Sequence, residues 1–157
     1  MKFLVTKNLE HSTLLTYLMA AVVVFILLYL GFDVALHAYV IGTDIQSIEV
    51  TLFGDMENFV EPMLIDALLL QVHLDLFMTL FALLILTSIF IRLYSSATAT
   101  RWMVHLVFIL GMLAPVALML AYLIGALLVP VWVFAFVVWH ALAFVLGMIV
   151  LKKLLFL

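Results

Sequence analysis

A chain of 157 residues that is 70% hydrophobic and 10% charged, with a mean hydropathy of +1.46, carries more apolar surface than a water-soluble core of that size can hide, and it reads as an integral membrane protein. The net charge of −3 comes with no basic run, which argues against nucleic acid as a partner. The absence of cysteine removes disulfide frameworks, thiolate zinc sites, iron–sulfur clusters, cysteine nucleophiles and covalently attached c-type haem.

Residues 1–12 form a short polar arm that places His11 at the membrane edge, with Ser12 or Thr13 as a helix N-cap. A first crossing then runs from 13 to about 38. It is longer than a signal-peptide core and lacks a small-residue cleavage site, so the expectation is that it is retained. Near its far end Asp33 and His37 stand four apart, on one helix face, and are expected to be an interfacial pair in contact with water.

Residues 39–62 make an acidic loop: Asp44, Glu49, Asp55, Glu57 and Glu61, with no Lys or Arg. Thr43 followed by Gln46 suggests a capping box, Ile45, Ile48, Leu52 and Phe53 share a face, and Gly54 is placed to end a helix. The pattern predicts a short interfacial helix. The stretch IEVTLF is also strand-like, which leaves a β-hairpin arm as the rival reading.

The second crossing, 63–92, carries Asp66, Gln71, His73 and Asp75 and leaves through Arg92. Ionisable groups at membrane depth cost roughly 2.5–3.5 kcal/mol on insertion scales, so each marks a candidate functional site. The short link YSSATAT leads to a third crossing, 102–128, with His105 one turn in, Gly111 near its centre and a kink expected at Pro115. A fourth crossing, 131–151, carries His140 and ends at Lys152 and Lys153.

The fold class is therefore all-α: a single four-helix transmembrane domain, most simply an up-down-up-down bundle with the interfacial segment on the periplasmic side. All six basic residues fall on the side shared by the termini, which the positive-inside rule makes cytoplasmic, in a bacterial inner membrane. In such a bundle the second and fourth helices lie on one diagonal. Counting about 1.5 Å per residue puts His73 about 28 Å from Arg92 and His140 about 18 Å from Lys152, a difference that helix tilt can reduce.

Two imidazoles facing across a bundle suit the two faces of haem b. Ala143 and Gly147 beside His140 leave room for a macrocycle, and Phe77, Phe144 and Trp139 could pack on it. His11 and His105 could hold a second haem at inner depth. The leading expectation is a small b-type cytochrome, an electron-transfer subunit or membrane oxidoreductase with His73 and His140 as metal ligands. It would exchange electrons with a quinone or with a periplasmic electron carrier docked on the acidic loop. The alternative is a proton- or cation-conducting bundle in which Asp33, His37, Asp66, His73, Asp75 and His140 form a polar file. A third reading is an accessory subunit, in a homo-oligomer or a larger membrane complex. No HExxH, GxSxG or phosphate-binding glycine loop supports hydrolytic or nucleotide chemistry.

Overall fold

The computed structural model describes residues 13–94 and 98–156, and every regular element among them is helical. Helix α1 spans Thr13–Val40, α2 Ile45–Phe53, α3 Ile65–Leu93, α4 Thr98–Ile124 and α5 Val129–Leu155, with a 3₁₀ turn at Ala126–Leu128 before α5. Apart from α2, each helix is long and apolar enough to cross a bilayer: at 1.5 Å per residue each extends about 40 Å against a hydrocarbon core of about 30 Å. The chain is an integral membrane protein.

Helix α4 begins before the expected 102 and stops at Ile124, short of 128. Gly125 takes φ +136°, a conformation that side chains rarely adopt, and so breaks the helix. Pro130 then lies in the first turn of α5, where its missing N–H has no helical acceptor to lose.

Helix α5 is the central element. It packs most extensively on α4, substantially on α1, and also on α3 and α2; α3 lies against α4 and meets α1 only sparingly. The residue types explain the closeness of α4 and α5. In a bilayer, helices gain little from leaving lipid and associate through close van der Waals contact, which small side chains allow. The fully buried faces here are Ala114, Ala117 and Ala121 on α4 and Ala135 and Ala143 on α5. Gly111 admits α3, since a Cβ there would stand 2.7 Å from a Leu83 methyl and 3.2 Å from Thr79 Cγ2.

Helix α2 is capped one residue later than the sequence suggested. Asp44, in extended backbone, accepts from the Ser47 N–H at 3.0 Å, and Ser47 Oγ in turn accepts from the Asp44 N–H at 3.2 Å. A carboxylate is a stronger acceptor than the Thr43 hydroxyl, and the reciprocal bond needs the serine at the third helical position. Ile48 and Leu52 are buried, whereas Ile45 and Phe53 are largely exposed. The strand-like IEVTLF is helical. It is followed by a tight turn in which Asp55 and Val60 exchange backbone hydrogen bonds of 2.8 and 2.9 Å.

Candidate buried histidine and aspartate site

Three helices each contribute residues at i, i+4 and i+8, the spacing that keeps side chains on one helix face. On α1 these are Tyr29, Asp33 and His37; on α3, Gln71, Asp75 and Thr79; on α5, Trp132, Phe136 and His140. The stripes converge. His37 Nε2 lies 2.9 Å from Asp75 Oδ2, and His140 Nε2 lies 2.9 Å from Asp33 Oδ2. Gln71 donates its amide N–H to the other Asp75 oxygen at 2.8 Å, with its nitrogen 3.4 Å from His37 Nε2. Asp33 Oδ1 is 3.6 Å from His37 Nδ1, which links the two pairs into one network. All four ionisable residues are at least nine-tenths buried.

Each imidazole is also tied to its own helix. His37 Nδ1 is 2.9 Å from the Asp33 carbonyl oxygen, and His140 Nδ1 is 2.8 Å from that of Phe136. A carbonyl can only accept, so both Nδ1 atoms carry hydrogen; this assigns the tautomer from the bonding pattern. Nε2 of each ring then faces a carboxylate oxygen. Two lone pairs cannot make a 2.9 Å contact favourable, so one proton lies in each contact, whether on nitrogen or on oxygen. The four groups thus share two protons and carry no net charge. That neutrality makes their burial in a low-dielectric bundle tolerable.

Aromatic rings close the site. Phe136 lies 4.5 Å from the His37 ring and 4.2 Å from the His140 ring, Trp139 lies 4.0 Å from His140, and Trp132 lies 6.3 Å from His37. These rings pack against both imidazoles and contribute to their burial. A cavity of about 10 Å³ remains, bounded by Asp33, His37, Asp75, Thr79, Pro115 and Phe136 among others. That is about the least space that holds one water. The Tyr29 hydroxyl is buried without a well-formed hydrogen bond among the described residues, and its polar neighbours are Thr79, Asp33 and Asp75.

The sequence-derived candidates are redistributed by this geometry. His140 is buried, but it faces Asp33 on α1 instead of His73. His73 is exposed, because two residues along a helix is more than half a turn and Asp75 holds the inward position. The structure therefore does not bring His73 and His140 together. His105 and Asp66 are exposed, and His11 lies outside the described residues.

Asp33 and His37 are not a water-exposed pair: both are buried, Trp132 and Phe136 pack on the His37 ring, and α3 supplies its partner Asp75. Gly147 serves helix packing, since a Cβ there would lie 2.8 Å from a Leu27 methyl of α1. Phe77 and Phe144 are largely exposed, and Trp139 packs on His140 itself. An apolar groove of about 440 Å³ lined by Leu30, Val34, Phe144 and Val145 does reach His140, whose Nε2 nonetheless points to Asp33.

Along each helix the network ends abruptly. Beyond Thr79 the buried residues of α3 include Ala82, Leu83 and Leu86, and beyond His140 those of α5 are Ala143, Leu146, Gly147, Val150 and Leu154. Thr87 donates to the Leu83 carbonyl of its own helix. No known protein family, curated protein or solved structure matches the chain. The functional reading therefore rests on this site.

Proposed function

We propose that the chain is a proton- or cation-transporting membrane bundle whose ion is held by Asp33, His37, Asp75 and His140. The observation that carries this reading is the pair of 2.9 Å His–Asp contacts joined into one buried network. Ionisable groups are rare in membrane helices and by default mark substrate, ion or proton pathways.

In the orientation the basic residues favour, the termini are cytoplasmic, the four long helices alternate in direction, and α2 lies on the outer surface. His37 and Asp33 are then about 5 and 10 Å below the outer end of α1, with Asp75 and His140 about 15 and 16 Å below the starts of α3 and α5. His37 shares its level with Asp75, and Asp33 shares its level with His140, so the network spans about 6 Å, one helical turn, on the outer side of the bundle and stops at apolar packing. Such a file does not form a standing pore. Passage to the cytoplasmic side requires the helices to move, as in alternating access. Pro115, which lines the cavity and removes a backbone hydrogen bond from α4, is placed to let that helix bend.

A haem-binding reading would need His73 to turn inward and His140 to exchange Asp33 for iron, so the transport reading is preferred. The accessory-subunit reading draws support from His73, exposed about 12 Å into α3 where lipid cannot hydrogen-bond it. A neighbouring copy or subunit is the natural partner there.

The experiment is ion flux into proteoliposomes carrying an internal pH dye, with transition-metal, alkali-metal or proton gradients imposed. Flux in the wild type that falls to the empty-vesicle level in Asp75→Asn supports transport. A purified protein that shows a Soret band dependent on His140 would return the assignment to a b-type cytochrome.

A further inference from the structure

We infer that the network is a binding site for one divalent first-row transition-metal cation, held by two imidazoles and two carboxylates: His37, His140, Asp33 and Asp75. The inference deepens the cation branch of the transport reading and rests on it for a physiological role, though metal binding can be measured without transport.

The first argument is convergence. Asp33, His37 and Asp75 each present a ligand atom within 4.8 Å of the others, and His140 Nε2 is 2.9 Å from an Asp33 oxygen. Around a tetrahedral ion with bonds of about 2.0–2.1 Å, neighbouring ligand atoms are about 3.3 Å apart. Asp33, His37 and Asp75 line the cavity of about 10 Å³, whereas His140 neither lines it nor joins that close group and must move in along its contact with Asp33 to become the fourth ligand.

The second argument is the outer support. Ligating histidines almost always donate their other ring N–H to a carbonyl or carboxylate, which fixes the ring and directs the remaining lone pair at the metal. Both imidazoles have this arrangement, through Nδ1 to the Asp33 and Phe136 carbonyls. Gln71 fixes one Asp75 oxygen and leaves the other facing His37.

The third argument is selectivity. Magnesium and calcium prefer all-oxygen shells and keep or need many ligands, whereas imidazole nitrogen suits zinc, iron, cobalt, nickel and copper(II). The cavity leaves no room for a hydrated ion, so protein atoms must replace the ion's water. Two carboxylates balance a divalent charge, and the two shared protons leave as it enters, so the site is neutral in either state. The ionisable groups facing it are Asp33, His37 and Tyr29 from α1, Asp75 from α3 and His140 from α5; α4 contributes Ala114 and Pro115.

The test uses the full chain in detergent, titrated with Zn²⁺ and separately with Co²⁺. The expected result is one ion per chain, with Co²⁺ giving the intense visible absorption of a four-coordinate complex. His37→Gln, His140→Gln and Asp75→Asn each weaken binding by at least tenfold, while His73→Ala and His105→Ala leave it unchanged. Thermal melts in the metal-free state separate lost ligation from lost folding. Absence of binding by folded wild type, binding that survives both His37→Gln and His140→Gln, or binding lost in His73→Ala overturns the inference. Metal binding without flux would retain the site and reject transport; proton flux without Zn²⁺ or Co²⁺ binding would do the reverse.

Discussion

His140 on α5 and Asp33 on α1, 107 positions apart, meet at 2.9 Å in the buried centre of the bundle. The contact fastens α1 to α5 through two groups that are both buried. Removing one partner leaves the other buried and unmatched. Asp33→Leu is expected to destabilise the folded protein by about 3–5 kcal/mol, and the double change Asp33→Leu, His140→Leu should recover much of that loss. Reversible unfolding in mixed micelles measures both; additive losses would show that the two residues do not act as a pair.

Packing between α3 and α4 depends on Gly111. Gly111→Leu would drive a side chain into Leu83 and Thr79, with an expected cost of about 1–3 kcal/mol or more. Gly111→Ala should cost far less, because the Leu83 methyl group can rotate away and alanine gains about 1 kcal/mol of helix propensity over glycine. The same unfolding assay ranks the two. Equal stability for both would mean that α3 and α4 are not in the close contact described.

Acidification should loosen the start of α2. The Ser47 backbone N–H and then its hydroxyl hold the Asp44 carboxyl below its usual value. A lowered folded-state value means that the cap's contribution is complete above the ordinary carboxylate pKa of about 3.9 and is lost as pH falls through the lower one. Amide exchange from Ile45 to Ile48, corrected for the intrinsic pH dependence, should stay slow at neutral pH and rise below about pH 4. Asp44→Ala should show the fast behaviour at every pH. Exchange that is indifferent to Asp44→Ala would remove the cap from the account.

Gln71 donates its amide N–H to Asp75 at 2.8 Å, with the same nitrogen 3.4 Å from His37 Nε2, and so steadies that carboxylate beside the imidazole. Gln71→Leu should therefore weaken Zn²⁺ binding by about 10–100-fold while leaving one ion per chain. Calorimetry measures both affinity and stoichiometry, and unchanged affinity would remove Gln71 from the account.

The four crossings were legible because an apolar run of membrane length has few other interpretations, and the α2 helix because a cap, an apolar face and a terminating glycine agreed. The site was legible only in parts. Asp33, His37, Asp75 and His140 each stood out as costly, but depth along the axis was made to choose their partners. Depth alone paired His140 with His73. Direction around the helix decides instead, and α1 and α5, apolar on all sides, give hydropathy nothing with which to fix it. The usable signal was the repeat of polar and aromatic residues at four-residue spacing: Tyr29, Asp33 and His37; Gln71, Asp75 and Thr79; Trp132, Phe136 and His140. Asp33 and His37 looked interfacial because they lie near the end of their crossing, and nothing in the sequence shows that Trp132 and Phe136 pack on the His37 ring.

Flux measured side by side in proteoliposomes tests the central claim most directly, with two sets of variants at matched protein density. Asp33→Asn, His37→Gln, Asp75→Asn and His140→Gln remove members of the buried network, whereas Asp66→Asn, His73→Ala and His105→Ala alter outward-facing groups of the same chemical types. The account predicts that each change in the first set reduces flux to that of empty vesicles and that each change in the second leaves it within about twofold of wild type, a difference of about 0.4 kcal/mol. Flux that survives the first set, or that is abolished by His73→Ala, would contradict it.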